Sequence, residues 1–158
     1  MWLGLIVLFA IVIGGDAFFG DDVSHSKYSY PWLIELPLHL ALPLIIPMLL
    51  SLAWSSGGGA KDFLGIGQLL GSLISYDFLA ERNTNTWSDY LGAVLGSGFM
   101  VAGYATNVGH EFIHRINDRI SMLKGRWLLS ISCNPDFAIE HVYGHHVNVC
   151  TDDDPATA

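Results

Sequence analysis

Two short histidine-rich stretches contain the residue types best suited to binding a metal ion. In the first, HEFIH, His110 and His114 are four positions apart with Glu111 between them. Side chains at i and i+4 lie on one face of an α-helix, so both imidazoles can reach the same ion. Zinc peptidases use this H-E-x-x-H pattern with the glutamate as general base. An intramembrane zinc protease holding one zinc is therefore one interpretation of this stretch.

The second stretch, EHVYGHH, indicates more than one ion. His141 and His145 repeat the i, i+4 spacing, and His146 adds a further imidazole. A catalytic zinc is held by three protein ligands and a water, so five clustered imidazoles exceed what one such site needs. Two ions suit the set better, and imidazole binds iron, copper and zinc alike. The predicted metal ligands are His110, His114, His141, His145 and His146.

Three carboxylates lie near these histidines in the sequence and are candidates to orient them. A ligating imidazole usually donates its second ring N–H to an acceptor such as a carboxylate. The candidates are Glu111, Glu140 and Asp154. No catalytic residue is predicted beyond the metal ligands. His25 and His39 each stand alone in the sequence, and we expect them to pack or to lie in loops.

The composition is that of a membrane protein. Hydrophobic residues make up 51% of the 158 residues and charged residues 14%, with a mean hydropathy of +0.41. Apolar stretches near 1–15, 31–54, 63–80 and 90–108 predict transmembrane helices, because a helix needs about 20 apolar residues to cross the hydrocarbon core. The sequence therefore predicts an all-α, polytopic transmembrane helical bundle. We expect one integral-membrane domain, with the histidine boxes within 107–150 and no nucleic-acid partner.

The distribution of basic residues predicts which side of the membrane the histidines occupy. Four basic residues follow the fourth apolar stretch, whereas the loops at 16–30 and 81–89 contain one each, Lys27 and Arg82. An excess of lysine and arginine marks the cytoplasmic side. The metal site is thus predicted on the cytoplasmic side, and four crossings would place the N-terminus there as well. The four basic residues are Arg115, Arg119, Lys124 and Arg126.

The stretches HEFIHR and EHVYGHHVNVCTDDDPATA resemble the first and second histidine boxes of the membrane-bound alkane hydroxylases. The patterns of that family are H-E-x-x-H-[KR] and E-H-x-x-G-H-H, and it belongs to the fatty-acid desaturase/hydroxylase superfamily. The resemblance implies that the five histidines ligate a di-iron centre at the cytoplasmic end of a helical bundle. The implied activity is a non-haem di-iron monooxygenase that hydroxylates the terminal C–H of alkanes or similar apolar chains with dioxygen. It also implies electrons from a rubredoxin-type donor with its reductase, and a location among the lipids of a bacterial inner membrane.

One departure from the family pattern concerns the remaining ligands. The family has a third histidine box and a further histidine in its C-terminal half, and neither occurs in these 158 residues. We therefore expect the chain to be the N-terminal part of a longer enzyme, incomplete at its C-terminus and inactive by itself.

The spacing of the second box bears on the choice of reaction. Membrane fatty-acid desaturases, the alternative within the superfamily, usually carry H-x-x-H-H in that box. Here three residues separate His141 from the His145–His146 pair, which favours hydroxylation. A non-enzymatic metal-binding or transport protein would use the same imidazoles.

Overall fold

A computed structural model describes residues 2–20, 29–57, 62–154 and 156. Within this part, the regular secondary structure is entirely helical, in agreement with the predicted all-α class. The α-helices in chain order are α1 (Trp2–Phe19), α2 (Pro31–Ser56), α3 (Ile66–Ile74), α4 (Phe78–Thr84), α5 (Trp87–Phe99), α6 (Thr106–Ile113), α7 (Arg119–Ile131), α8 (Phe137–Ile139) and α9 (His146–Asn148). Two π-helical segments, Met100–Ala105 and Glu140–His145, join α5 to α6 and α8 to α9.

Three helical stretches of the described chain are long and apolar enough to cross a membrane. They are α1, α2 and the 27-residue stretch Trp87–Ile113, which comprises α5, the first π-helical segment and α6. At about 1.5 Å per residue each approaches or exceeds the ~30 Å of a hydrocarbon core. Proline at the first position of a helix has no N–H to leave unpaired, so Pro31 is a suitable start for α2.

The region between the second and third of these helices is bent. A 3-10 turn, Phe63–Gly65, leads into α3, and α3 meets α4 at 115°. The chain turns at Ser75, which has a left-handed φ of 54°, and Asp77 then accepts hydrogen bonds from the N–H groups of Leu79 and Ala80. Hydropathy predicts one span over 63–80 because it counts apolar residues. It does not detect a left-handed residue followed by an N-cap.

The chain divides into two compact units. The first comprises Met1–Lys27 and Pro47–Gly98, and the second comprises Tyr28–Ile46 and Phe99–Ala158. Within the first unit, the indole N–H of Trp54 donates to Asp62 Oδ1 at 2.9 Å, and the same oxygen accepts the N–H of Gly67 at 2.9 Å. Both histidine boxes belong to the second unit, so the second unit carries the candidate metal site.

Two glycines allow α6 and α7 of the second unit to cross closely. A Cβ atom on Gly125 would lie 2.9 Å from the carbonyl oxygen of Gly109 and 2.9 Å from a methyl group of Ile113. A Cβ atom on Gly109 would lie 3.2 Å from the carbonyl oxygen of Gly125. Small residues at a helix crossing let the two backbones approach each other. The helix that carries the first histidine box is thereby fixed against its neighbour.

A small apolar core connects the two histidine boxes. Ile113 of α6, Leu129 of α7 and Ala138 of α8 are each at most 1% exposed and form one cluster. Met122, Phe137 and Val142 pack against it. Burial of such side chains contributes roughly 25 cal/mol per Å² of apolar surface. Because Val142 and Phe137 flank His141, this core holds the second box against α6.

Candidate metal centre

The first histidine box occupies the last turn of α6. His110 lies inside the helix and His114 is its C-terminal cap residue, so the helical period places their rings side by side. Their Nε2 atoms are 3.1 Å apart and their ring centroids 4.5 Å apart. After this box the chain turns at Asp118, whose carboxylate accepts the N–H groups of Ile120 and Ser121 and so begins α7. The predicted pairing of the first box is therefore present.

The second box is π-helical, and this changes which histidines lie together. In the segment Glu140–His145 the backbone hydrogen bonds are of the i, i+5 type, so side chains five positions apart align. The Nε2 atoms of His141 and His146 are 3.0 Å apart, whereas the ring of His145 turns toward Asp154. The α-helical i, i+4 spacing of His141 and His145 suggested the other pairing. An inserted residue in the helical turn is the physical reason for the difference.

The two boxes converge on each other. His110 Nε2 lies 2.7 Å from His141 Nε2, across 31 residues of sequence. His110, His114 and His141 form a group whose ligand atoms all lie within 4.8 Å of one another, a set able to hold a metal ion. His146 extends this set through its contact with His141. The structure thus brings together four of the five predicted ligands through their Nε2 atoms.

The nitrogen separations fit a shared metal ion. Two nitrogens that each lie about 2.1 Å from one ion, at right angles to each other, are about 3 Å apart. The contacts from His114 to His110, from His110 to His141 and from His141 to His146 are 3.1, 2.7 and 3.0 Å. The contacts among these four imidazoles also bring several nitrogen lone pairs close together, and a bound cation would complement them.

The protonation states of the histidines favour metal binding. Burial above all, together with the neighbouring imidazoles, His110 first among them, lowers the pKa of His141 from 6.5 to about 4. Burial also lowers the pKa of His114, with added repulsion from His110 and His146 and an opposing effect of Glu111. Only a neutral imidazole binds a metal. At neutral pH His141 is therefore ready to act as a ligand without losing a proton.

Asp154 is the carboxylate that contacts a predicted ligand. Its side chain is fully buried, and its two oxygens lie 2.9 and 3.0 Å from Nδ1 of His145. Oδ1 also accepts the N–H of Ala156 at 2.9 Å. With Nδ1–H donated to the carboxylate, His145 keeps its Nε2 lone pair for a metal. This is the hydrogen bond expected of a carboxylate that orients a ligand.

The other two carboxylates have different surroundings. Glu111 lies 3.5 Å from Nη2 of Arg115, and its side chain is about half exposed. Glu140 is exposed, and no hydrogen bond joins it to a histidine within the described residues. Their assignment as residues that orient a ligand remains a prediction, without a contact in the structure to support it.

Several residues next to the site were not evident from the sequence. Phe137 stacks on His141 with ring centroids 4.6 Å apart and planes 12° apart, and it lies 5.8 Å from His110. On the other side of α6, Arg115 lies 3.5 Å from Glu35 of α2. The contact of Phe137 with His141 could have been predicted from their spacing, because residues four positions apart lie on the same face of an α-helix.

The two isolated histidines are accounted for separately. His39 lies with its ring 5.4 Å from that of Phe112, and its Nδ1 is 3.1 Å from Lys124 Nζ, so it has the packing role expected of it. His25 lies outside the described residues.

Comparison with known proteins gives a consistent result. The chain is 28% identical to alkane 1-monooxygenase 2 of Pseudomonas aeruginosa, over 99% of this chain and 37% of that protein. It is 36% identical to alkane 1-monooxygenase 1 of the same organism over 72 residues, which are 46% of this chain and 19% of that protein. With alkane 1-monooxygenase 2 of Alcanivorax borkumensis the identity is 37% over 43% of this chain and 18% of that protein.

The chain is similar to the alkane 1-monooxygenases, over nearly its whole length in one case. The resemblance inferred from the two histidine boxes is thereby confirmed, and the match lies in the N-terminal part of these longer proteins. The chain spans about a third of the length of the curated alkane 1-monooxygenases that it matches from end to end. No protein-family model matches the chain, and no solved structure matches it significantly.

Proposed function

We propose that this chain is the part of a membrane-bound alkane 1-monooxygenase that supplies the first two histidine boxes of its metal centre. The observation that carries the proposal is the convergence of His110, His114 and His141, whose ligand atoms lie within 4.8 Å of one another. The alkane 1-monooxygenases that match nearly the whole chain support the reaction class. The substrate is then an alkane or a similar apolar chain, hydroxylated at its terminal C–H.

The cofactor in this proposal is a pair of iron ions. The residues that would hold it from this chain are His110, His114, His141, His145 and His146. Bound iron would supply the activation of dioxygen that an unactivated C–H bond requires, with electrons delivered by a rubredoxin-type protein and its reductase. Imidazoles suit iron as ligands, and the neutral state of His141 at physiological pH is consistent with this role.

The chain's own residues have separate roles in this proposal. The four Nε2 atoms of His110, His114, His141 and His146 face one another and provide the binding surface. Asp154 holds the ring of His145 by accepting its Nδ1–H. Phe137 covers one face of His141 and keeps water from it. The crossing of Gly109 and Gly125 fixes the distance between the metal-bearing helix and α7.

The membrane location follows from the long apolar helices, and its details are part of the proposal. The helices α1, α2 and Trp87–Ile113 are long and apolar enough to cross a lipid bilayer, into which an alkane also partitions. We assign the bilayer to a bacterial inner membrane and the histidines to its cytoplasmic side, because Arg115, Arg119, Lys124 and Arg126 follow the third of these helices.

The alternative of an intramembrane zinc protease has less support. Its general base would be Glu111, yet this carboxylate is paired with Arg115. A zinc held by His110 and His114 of the first box alone would also leave the contacts from His141 to His110 and His146 unexplained. For the desaturase alternative, no observation in the fold favours it over hydroxylation, and the matched relatives bear the name alkane 1-monooxygenase.

The test is product formation by the complete protein. Cells that express the complete coding sequence with a rubredoxin and its reductase should convert a medium-chain alkane to its primary alcohol, detected by gas chromatography. Protein purified anaerobically should contain more iron than zinc, approaching two iron ions per chain. His141→Ala should abolish both, while His39→Gln should preserve both, since His39 packs on Phe112 away from the cluster. Formation of an alkene without alcohol, or one zinc with full activity, would overturn the proposal.

A further inference from the structure

We propose that the bent helix pair α3–α4 does not cross the membrane but forms a hairpin at one membrane surface, with lipid acyl chains as its partner. This surface is the one at which Trp54, near the end of α2, lies. The inference does not depend on the proposed function, because it uses only the path of the chain between Trp2 and Arg115. In this arrangement the chain does not cross the membrane a fourth time at α3–α4 but returns to the side at which α2 ends.

The two ends of the hairpin meet at one side chain. Asp62, just before the first helical turn, accepts the indole N–H of Trp54 at 2.9 Å. Arg82, in the last turn of α4, has its guanidinium carbon 4.7 Å from the ring centroid of the same indole. A segment that crossed the hydrocarbon core would have its ends about 30 Å apart. The segment from Asp62 to Arg82 therefore begins and ends at the same depth in the membrane, the depth of Trp54.

The number of crossings leads to the same conclusion in the second unit. Glu35, near the start of α2, lies 3.5 Å from Arg115, just after α6. Between these residues the chain passes through α2 and through the helical stretch Trp87–Ile113, each long enough to cross once. Two crossings return the chain to its starting side, as the contact requires. A third crossing by α3–α4 would separate Glu35 and Arg115 by the membrane thickness.

A contact within the first unit gives an independent count of the membrane crossings. The indole N–H of Trp2, at the start of α1, lies 3.1 Å from the carbonyl oxygen of Ser88 and 3.0 Å from its hydroxyl oxygen, at the start of α5. The chain between them contains α1, α2 and the α3–α4 pair. If α1 and α2 each cross once, the chain is back on the side of Trp2, and again the bent pair adds no crossing.

The lengths of the two helices agree with a surface position. The nine residues of α3 extend about 14 Å and the seven of α4 about 10 Å, at 1.5 Å per residue. Asp77 and Glu81 lie at the bend and in α4, where a crossing helix would place apolar residues. Charged side chains are costly within the hydrocarbon core but not at its surface.

The exposed face of α3 identifies lipid as the partner. Gly67 is packed so closely that a Cβ atom there would lie 2.8 Å from the indole of Trp54. The opposite side of the helix carries Leu69 and Leu73, which are 63 and 71% exposed. The hairpin joins a membrane-crossing helix at each end within a few residues, so this apolar face is held at the membrane. Acyl chains of the adjacent leaflet cover it.

The first experiment measures sidedness by cysteine labelling in the full chain. Ser56→Cys and Asn85→Cys are made in a background where Cys133 and Cys150 are serine, and a variant that keeps only Cys133 is the reference. A membrane-impermeant maleimide is applied to right-side-out and inside-out vesicles. Positions 56 and 85 should label from the same side. Labelling of positions 56 and 85 from opposite sides would overturn the proposal. Gly57→Cys serves as a second reporter if Ser56→Cys does not insert.

The second experiment measures depth and tests lipid as the partner. Spin labels are attached at Leu73→Cys on the exposed face of α3, at Asn85→Cys in the aqueous connection and at Val94→Cys within the third crossing helix. Relaxation by oxygen and by a water-soluble nickel complex should place position 73 in the bilayer, shallower than position 94. Nickel accessibility at position 73 equal to that at position 85 would show that the hairpin projects into water, and would overturn the assignment of lipid. Leu69→Cys is the duplicate reporter for the same face.

Discussion

Nδ1 of His145 lies 2.9 Å from Oδ1 of Asp154, a carboxylate with no exposed surface. The pair is nine residues apart in sequence, and it fixes both the tautomer and the direction of the imidazole. In the proposed metal centre, a buried carboxylate that orients His145 in this way would contribute to metal affinity without touching the metal.

The first prediction is that Asp154→Asn weakens metal binding roughly 10- to 100-fold, the usual effect of losing such a partner. Titration of the purified protein with Co²⁺, followed by its absorption spectrum, measures the change. Asp153→Asn is the matched control because Asp153 is an exposed neighbour, and it should bind Co²⁺ like the parent. Unchanged affinity in Asp154→Asn would mean that the carboxylate only caps the N–H of Ala156.

The second prediction concerns the crossing of α6 and α7. Gly125→Ala introduces a methyl group where the Gly109 carbonyl oxygen is 2.9 Å away, so the helices must separate. Overpacking of this kind costs about 1–3 kcal/mol, and the displacement of α6 should also reduce metal content. Thermal unfolding in detergent and metal analysis measure the two effects.

The control for that substitution is Gly96→Ala in α5, where a new Cβ atom would meet no heavy atom within 4 Å. In an open helical position alanine is favoured over glycine by up to about 1 kcal/mol. The control should therefore be neutral or slightly stabilising. Equal behaviour of the two variants would contradict a close crossing at Gly125.

The third prediction is a low pKa for His141 in the metal-free protein. The imidazole should titrate near 4 in place of the usual 6.5, as measured by NMR of its ring protons. Between these values the unfolded chain binds more protons than the folded one, so the free energy of unfolding should rise with pH across this window. A titration near 6.5 would contradict the burial of this ring.

The fourth prediction is that Phe137→Ala raises the pKa of His141 toward its ordinary value. Burial is the largest cause of the depression, and the stacked phenyl ring, 4.6 Å from the imidazole, supplies part of that burial. The same NMR titration measures the shift. Ile139→Ala removes a side chain that is 58% exposed and should leave the titration unchanged.

The sequence predicted the first histidine box better than the second. His110 and His114 follow the α-helical period, and their rings are adjacent as expected. In the second box the π-helical turn aligns His141 with His146, which an α-helical period does not foresee. The sequence carries no clear marker of this π-helical turn. The packing of Phe137 and Val142 against the buried core, which accompanies the turn, becomes visible only in the folded chain.

The long apolar helices were also predictable from the sequence, but their contacts were not. Hydropathy alone indicates α2, whereas the ion pair between Glu35 and Arg115 joins residues 80 positions apart. Such pairs depend on how helices are placed side by side, and a single sequence does not contain that information. The bend between α3 and α4 was missed for a different reason, since it depends on the backbone conformation of Ser75.

The short sequence distance between the two histidine boxes has a consequence for folding. His110 and His141 are 31 residues apart. The contacts that bring them together, from the crossing of Gly109 and Gly125 to the core of Ile113, Leu129 and Ala138, all lie within residues 109–141. Contacts between residues so close in sequence form quickly, because closing a short loop costs little chain entropy. His110 and His141 should therefore come together early in folding, as part of a local helical hairpin. An ion bound between them would then act as a cross-link that restricts the unfolded chain.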